Sequence, residues 1–292
     1  MKLKIGSRDS LLAVAQSQIA MRALLQAEPG LTLELVTMKT TGDRILDRSL
    51  DEVGGKGLFV KELDRALLDG EVDLTVHSLK DMPMETDPRI PIAAFSRRED
   101  ARDVLVLPAG GSGCEPGHII GCSSLRRKLQ LQALYPEADI RPVRGNIQTR
   151  LRKLDAGEFD SLVLAAAGLR RLGLAGRIAR TFSPDEVLPA SGQGILAAQA
   201  RADFDRTLLR CFHDEDAAAC ALAERAFVRT LGGGCSSPVA AYAEAHGAVL
   251  QLTGLYVNPD GSYFRDHCEG GTAAAAALGA ALALRMRKEA GT

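Results

Sequence analysis

Apolar strand-like runs and amphipathic helix-like stretches alternate over the first two thirds of the chain, and this alternation constrains the fold more than any other feature. Residues 4–7 are typical of a strand, residues 10–26 of a helix and residues 31–38 of a second strand. A helix over 58–69 and a strand over 73–78 continue the series. Short connections between such elements favour a mostly parallel sheet covered by helices on both faces, with ligands at the carboxyl ends of the strands.

A second alternating series begins after a break near residues 97–100. Its predicted elements are residues 104–107, 119–121, 124–134, 140–143, 146–154 and 161–164. The last third differs, because a helix over 216–230 leads through a glycine-rich turn into three strand-like segments and an alanine-rich helix. The predicted fold class is therefore α/β, with two doubly wound α/β domains and a small C-terminal α+β domain.

The composition limits the kinds of partner. The chain has 292 residues and a formal net charge of −1, which excludes the strong basic bias of a typical nucleic-acid-binding protein. Only 9 of its 36 basic residues are lysine and 27 are arginine, a side chain that binds carboxylates through two parallel hydrogen bonds. A high-GC genome or solvated surface charge accounts for many of these arginines, so their positions must distinguish the functional ones.

The cysteines and the apolar runs indicate a reducing, aqueous compartment. The six cysteines include no C-x-x-C pair and have no closely spaced histidines, which argues against a structural zinc site and a disulfide scaffold. No apolar run of signal-peptide length opens the chain, and residues 273–284 are too short to cross a bilayer. We therefore expect a cytoplasmic protein with reduced thiols and no metal.

Three predicted strand-to-helix junctions combine arginine with hydroxyls or glycine. Helix N–H groups at such junctions favour an anion, although simple helix capping is an equally good interpretation of the first junction. Two arginines in one first helical turn oppose the helix dipole, so we expect an anion beside them. No P-loop and no G-x-G-x-x-G after a strand is present, which favours a ligand with several carboxylates over phosphate. The junctions are residues 7–10, 121–127 and 144–150.

Two further residues could take part in chemistry. Asp81 follows the strand that ends at Ser78 and could act as an acid/base carboxylate, while a turn or N-cap aspartate is the alternative. The neighbouring His77 is interpreted as structural. Cys235 follows three glycines that leave room for a bulky adduct on its sulfur, and a glycine-rich turn ending in a small buried residue is the alternative. The glycines within 54–57 are consistent with a mobile lid or with a plain surface loop.

These segments together resemble the porphobilinogen deaminase family over nearly the whole chain. The resemblance is specific because the matching segments occur in one order along the sequence. They are residues 53–63, 76–81, 123–127, 144–146, 167–173, 188–190, 192–194 and 233–235.

The resemblance implies a three-domain enzyme that joins four porphobilinogen molecules head to tail, releases ammonia each time, and then hydrolyses off hydroxymethylbilane. It also implies a dipyrromethane cofactor fixed by a thioether to Cys235, on which the growing chain is held. The first two domains of the family resemble periplasmic solute-binding proteins, and the chain crosses between them twice. The implied domains are residues 1–96 with 192–213, residues 97–191, and residues 214–292.

The same resemblance assigns the site residues. Asp81 is implied as the catalytic carboxylate, which assists loss of the amino group and stabilises positive charge on the pyrrole nitrogens. The porphobilinogen enzyme is expected to be a monomer without nucleic-acid or membrane partners. The implied cofactor-binding residues are Cys235, Lys80, Ser78, Ser124, Arg126, Arg127, Arg144 and Gly145, and the implied substrate-binding residues are Arg8, Ser10, Arg150, Arg171, Gln193 and Phe59.

The chain departs from the family pattern at two positions near the expected site. Leu11 stands where family members often have proline, and Cys122 where threonine is common. Neither departure removes a charged group, but Cys122 adds a second cysteine near the expected cleft. A two-lobed protein that only binds an anionic solute is the alternative function, because solute binding needs the arginines but neither Asp81 nor Cys235. A phosphate-transfer enzyme would need metal-binding carboxylates near a phosphate loop, and the sequence has no such pattern.

Overall fold

The computed structural model of the chain describes residues 1–40, 60–234 and 238–291. Its strands are β1 (Lys2–Arg8), β2 (Thr32–Met38), β3 (Leu74–Ser78), β4 (Ile92–Phe95), β5 (Asp103–Val106), β6 (Ile119–Gly121), β7 (Asp139–Arg141), β8 (Ser161–Ala165), β9 (Ile178–Thr181), β10 (Leu196–Ala200), β11 (Ala240–His246), β12 (Val249–Val257) and β13 (Tyr263–Gly271). Its α-helices are α1 (Leu11–Ala27), α2 (Lys61–Leu68), α3 (Leu125–Leu134), α4 (Ile147–Asp155), α5 (Ala166–Arg171), α6 (Glu215–Thr230) and α7 (Ala275–Glu289).

The first sheet has the strand order β2-β1-β3-β10-β4. Strand β1 pairs in parallel with β2 and β3, whereas β10 runs antiparallel to both β3 and β4. Alternate residues of β1, such as Leu3 and Ile5, are buried against Leu24 of helix α1 and Leu196 of β10. The sheet is therefore mostly parallel, and the carboxyl ends of β1 and β3 meet at one edge.

The second sheet repeats this arrangement with the order β7-β6-β8-β5-β9. Strand β6 is parallel to β7 and β8, and β5 is antiparallel to β8 and β9. In each sheet the antiparallel strand follows directly, in chain order, a strand of the other sheet. Strand β5 of the second sheet follows β4 of the first, and β10 of the first sheet follows β9 of the second. The chain therefore crosses between the sheets twice, through residues 96–102 and 182–195.

The C-terminal part is a smaller layer of sheet and helix. Strands β11, β12 and β13 form an antiparallel sheet, and helices α6 and α7 pack on it. Phe227, Leu252 and Met286 are fully buried between these layers. The predicted fold class of two α/β units and a small α+β domain is thus confirmed, while the domain boundaries predicted from the resemblance stay a prediction.

One buried carboxylate joins the C-terminal part to both crossing segments. Glu224 of α6 is fully buried and accepts two hydrogen bonds from Arg98 Nη2, at 2.7 and 2.8 Å. It also accepts from the backbone N–H of Gly192 at 2.6 Å and of Ala243 at 2.8 Å. Because Arg98 and Gly192 belong to different crossing segments, this contact ties both segments to helix α6 where the two sheets approach each other.

Among the described residues, no helix combines the length and the apolar character that crossing a lipid bilayer requires.

Candidate active site

The carboxyl ends of β1 and β3 open into a pocket that holds several of the predicted site residues. Ser10 begins helix α1 as its N-cap, where its side chain accepts from the N–H of Ala13 at 3.3 Å. Gln16, one turn further, is buried and donates to Ser78 Oγ at 2.8 Å. The full lining is Arg8, Ser10, Leu12, Ala13, Gln16, Val60, Val76, His77, Ser78 and Asp81.

Asp81 is solvent-exposed at the wall of this pocket. It ends a 3-10 turn over Leu79–Asp81 that directly follows β3. The turn is anchored because Leu79 is fully buried and its N–H donates to the carbonyl of Ile195 at 3.0 Å. The fold therefore presents the Asp81 carboxylate to the cleft from a fixed backbone.

His77 takes the structural role that the sequence suggested. The ring is buried, and its Nε2 lies 2.9 Å from Thr75 Oγ1 in the same strand. Burial, together with the positive charge of Arg8, lowers the pKa of His77 to about 4. His77 is therefore neutral near pH 7, and Asp81 is the carboxylate of this pocket's lining.

Arg126 and Arg127, in the first turn of α3, are both buried against one carboxylate. Ser124 caps the helix and accepts from the N–H of Arg127 at 3.4 Å. Arg126 Nη1 lies 2.8 Å from Asp103 Oδ2, and Arg127 Nη2 donates to Asp103 Oδ1 at 2.7 Å. Burial acts to raise the pKa of Asp103, but the two guanidinium charges outweigh it and hold that pKa well below its usual range.

Asp103 corrects one expectation from the sequence. The arginine pair beside a helix N-terminus was expected to need an anion from a ligand, yet the protein supplies an anion of its own. The sequence signal was an aspartate at the head of the apolar strand β5, a position that places a charge in a buried element. Both guanidinium groups are thus positioned before any ligand binds.

Gln193 connects this pair to the first sheet. It is fully buried, donates to Asp103 Oδ1 at 2.8 Å, and accepts from Lys80 Nζ at 3.3 Å. Its neighbour Gly194 has φ of +91°, and a Cβ there would lie 2.2 Å from the carbonyl oxygen of Glu99. The Gly-x-Gly segment of the second crossing is therefore the close turn that places Gln193 between the two units.

Burial lowers the pKa of Lys80 to about 8, and the neighbouring Asp81 opposes this effect. Within this value, the charges of Arg126 and Arg127 act in the same direction as burial, and the charge of Asp103 acts against it. The ammonium group is therefore charged at neutral pH and close to titrating at mildly alkaline pH.

The third junction places another arginine in the same charge cluster. Arg150 donates from Nε to the carbonyl of Gly145 at 2.8 Å, and Gly145 adopts φ of +108°, a conformation that favours glycine. Burial lowers the pKa of Arg150, and the charges of Arg127 and Arg144 act in the same direction. Arg144 is half-buried beside them.

Some predicted residues lie elsewhere or outside the described chain. Arg171 is held at the second crossing, where it donates to the carbonyl of Gly194 at 2.5 Å, and burial lowers its pKa to about 10. Cys122 is 4% exposed and burial raises its thiol pKa, so packing explains it. Cys235, Phe59 and the glycines of residues 54–57 lie outside the described residues.

Positive charge exceeds negative charge in the cluster between the sheets. Among the described residues, the charges that act on one another there are those of Lys80, Arg126, Arg127, Arg144 and Arg150 on one side and of Asp81 and Asp103 on the other. Within the same described part of the chain, the buried Nε of Arg127 has no hydrogen-bond acceptor. Five cations and two carboxylates favour an anionic ligand, because buried charge that is not neutralised is unfavourable.

The chain is similar to several known proteins. A solved structure of the periplasmic sulfonate-binding protein SsuA from Methylobacillus flagellatus is similar at 14% identity and a TM-score of 0.36, over 76% of this chain and 66% of that chain. A porphobilinogen deaminase from Acetivibrio thermocellus is 54% identical over 288 residues, covering 99% of both chains. One from Chromobacterium violaceum is 47% identical over 297 residues, covering 98% of this chain and 94% of that protein.

Two family models also match. Residues 3–209 match "Porphobilinogen deaminase, dipyromethane cofactor binding domain", and residues 218–288 match "Porphobilinogen deaminase, C-terminal domain". Together they cover nearly all of the chain, and the relatives align with it almost end to end. The chain belongs to the porphobilinogen deaminase family.

Proposed function

We propose that this chain is a porphobilinogen deaminase that condenses four porphobilinogen molecules into hydroxymethylbilane, with release of ammonia at each addition. The observation that carries the proposal is one exposed carboxylate, Asp81, beside a cluster in which cations exceed carboxylates. Porphobilinogen has an acetate and a propionate side chain, so a growing chain of such units is a polyanion. A cleft of this charge suits that substrate class.

A dipyrromethane cofactor fits the residues present. Its carboxylates match the excess positive charge, and the buried Arg127 Nε is a donor without an acceptor among the described residues. We assign the cofactor's side chains to Lys80, Arg126, Arg127 and the Arg144 junction, and its attachment to Cys235. When bound, the dipyrromethane supplies the free pyrrole carbon to which the first substrate is joined.

Arg8, Ser10 and Arg150 are assigned to the carboxylates of incoming porphobilinogen. Arg8 and Ser10 line the same pocket as Asp81, and the charge of Asp81 acts on Arg150, so all three lie around the proposed catalytic group. A substrate held by both side chains would lose most of its rotational freedom before reaction. Arg171, Gln193 and Phe59 complete the substrate set proposed from the family resemblance.

Asp81 is the proposed catalytic residue. A carboxylate at this place can stabilise the positive charge that develops on the substrate's pyrrole nitrogen as ammonia leaves, and can exchange a proton with that nitrogen. The buried Arg126 and Arg127 and the half-buried Lys80 are proposed to hold carboxylates. The two guanidinium groups cannot transfer protons, because they stay protonated. In this proposal Asp81 therefore carries out the chemistry, and the cations bind the carboxylates.

Intact mass of the purified protein tests the proposal directly. We expect a species heavier than the 31.0 kDa polypeptide by two pyrrole units, and further species after brief exposure to porphobilinogen. Each further step should add the mass of one substrate less one ammonia. A protein that only binds an anionic solute would have its bare polypeptide mass in both samples, and that result would overturn the proposal.

The pKa of Lys80 predicts a specific pH dependence. Anionic ligands favour the ammonium form, so binding raises the Lys80 pKa above about 8 and takes up a proton at higher pH. As Lys80 loses its proton, the cofactor carboxylates that it holds should be ordered less well, and kcat/KM for addition of porphobilinogen to that cofactor should therefore decrease at alkaline pH, at or above about 8. The measurement is the pH profile of kcat/KM for porphobilinogen.

The matched variant for this test is Lys80→Arg, which keeps a positive charge but does not titrate in this range. In Lys80→Arg the decrease of kcat/KM at alkaline pH should move to higher pH or disappear. If the decrease stays at the wild-type pH, the titrating group is the amine of the substrate or another residue, and the role given to Lys80 is wrong.

A monomer in the cytoplasm, without nucleic-acid partners, is the form in which we propose that the enzyme works. The net charge of −1 supports the absence of nucleic acid, and the lack of a long exposed apolar stripe in the sequence supports the monomer.

A further inference from the structure

Asp103 is the point at which the binding groups of the two α/β units meet. The residue begins strand β5 and is fully buried. Its Oδ2 lies 2.8 Å from Arg126 Nη1, and its Oδ1 accepts from Arg127 Nη2 at 2.7 Å and from Gln193 Nε2 at 2.8 Å. Both oxygens are therefore engaged by groups that come from two separate segments of the chain.

Gln193 extends this contact to the first sheet. Its Nε2 also donates to the carbonyl of Ala101 at 2.6 Å, and its Oε1 accepts from Lys80 Nζ at 3.3 Å. Lys80 lies in the turn that directly follows β3 of the first sheet, whereas Arg126 and Arg127 belong to α3 of the second unit. One carboxylate and one amide thus link three cations across the crossing segment.

The cations would repel one another without this carboxylate. Arg126 and Arg127 are adjacent at a helix N-terminus, where the helix dipole also opposes positive charge, and the charge of each lowers the pKa of Lys80. Repulsion would separate the side chains or draw water between them. A ligand carboxylate would then have to reorder the groups that bind it, which weakens binding.

We propose that Asp103 is a positioning residue that holds the Arg126–Arg127 pair and, through Gln193, the Lys80 ammonium in the arrangement that receives the carboxylates of the pyrrole chain. The inference rests on the proposed function for the identity of the ligand, but the arrangement of cations can be tested on its own. Asp103 touches no reacting atom and acts only through the groups it holds.

The experiment compares Asp103→Asn with Asp155→Asn in the full-length protein as purified. Asp155 is a matched control, because it pairs with Arg177 at 2.7 Å in the same α/β unit but is exposed, and none of the cations that Asp103 holds acts on it. We expect Asp103→Asn to change kcat and KM for porphobilinogen so that kcat/KM decreases by about 10-fold or more, because Lys80, Arg126 and Arg127 would then hold the cofactor, to which the substrate is added, in a less ordered position. Asp155→Asn should leave both parameters unchanged.

The pKa of Lys80 provides a readout that does not depend on turnover. It can be measured by NMR of protein labelled with ¹³C at lysine Cε, in which the Lys80 signal is assigned as the one that Lys80→Arg removes. Because the Asp103 charge raises the Lys80 pKa, Asp103→Asn should lower it, and the alkaline decrease of kcat/KM should move to lower pH with it. Asp103→Glu, which keeps the charge, should restore the Lys80 titration at least in part. Asp155→Asn should not change it.

The outcomes separate the inference from the proposed function. An unchanged Lys80 titration in folded Asp103→Asn would overturn the inference, whatever the activity. Wild-type protein that does not consume porphobilinogen would overturn the proposed function, while the titration would still decide the role of Asp103. If Asp103→Asn does not fold, Gln193→Met keeps the arginine pair and removes the link to Lys80. Gln193→Met should lower the Lys80 pKa and lower kcat/KM for porphobilinogen, and wild-type values of both would overturn the inference.

Discussion

Replacing Cys235 by serine should give a folded protein that carries no covalent adduct and has no deaminase activity. A hydroxyl is a much weaker nucleophile than a thiolate, so serine cannot replace the sulfur in forming the tether. Without a tether, each intermediate of the growing chain would be free to leave the cleft. Intact mass of the purified variant is the first measurement, and porphobilinogen consumption is the second.

Cys122→Ser is the matched control for this prediction. Cys122 is the other cysteine near the cleft, but it is buried and burial raises the pKa of its thiol, which makes it a poor nucleophile. The control should keep the added mass of two pyrrole units. If the adduct persists in Cys235→Ser and disappears in Cys122→Ser, the cofactor is attached to Cys122 and the prediction is wrong.

Asp81→Asn should lower kcat by ~10²-fold or more, the usual loss when a general acid/base is removed. Asparagine has nearly the same shape but has no negative charge and cannot take up a proton at neutral pH. Asp81 is exposed, and none of the buried contacts described above depends on it, so the variant should fold and keep its adduct. The measurement is single-turnover deamination of porphobilinogen, together with intact mass to establish that the adduct is present.

Glu85→Gln controls for the loss of an exposed carboxylate in the same segment. Glu85 lies four residues after Asp81 and is also exposed. The Glu85→Gln variant should deaminate porphobilinogen at the wild-type rate. Wild-type turnover in Asp81→Asn would reject the catalytic role. A decrease of similar size in both variants would show that the overall negative charge of this segment matters rather than the Asp81 carboxylate itself.

Most secondary structure was predictable because it depends on neighbours a few residues apart. The predicted strand over 119–121 coincides with β6, and the helix predicted over 10–26 differs from α1 by one residue at each end. Strand β10 was not predicted from its own residues, Leu196–Ala200, because four apolar residues of its five give no alternation and alanine has low strand propensity. Its place between β3 and β4 is set by pairing with distant chain.

The site was predictable where a residue follows directly from a strand end. Arg8, Ser78 and Asp81 line one pocket as expected, because the carboxyl ends of parallel strands meet at one edge. Gln16 was missed, although a polar residue on the buried face of α1, between Ala13 and Ala20, is a signal that could have found it. Asp103 was missed because its partners are 23 or more residues away in the sequence.

The order and type of most elements, the positions of the strand-end acids and cations, and the family of the chain are properties of the linear sequence, since local periodicity and short segments encode them. The neutralisation of the arginine pair by Asp103, the link from Lys80 through Gln193, and the exchange of strands β5 and β10 between the sheets depend on the folded chain. The interaction between two charges depends on their distance in space and not on their separation along the chain. Only the three-dimensional arrangement therefore determines which charged groups form pairs.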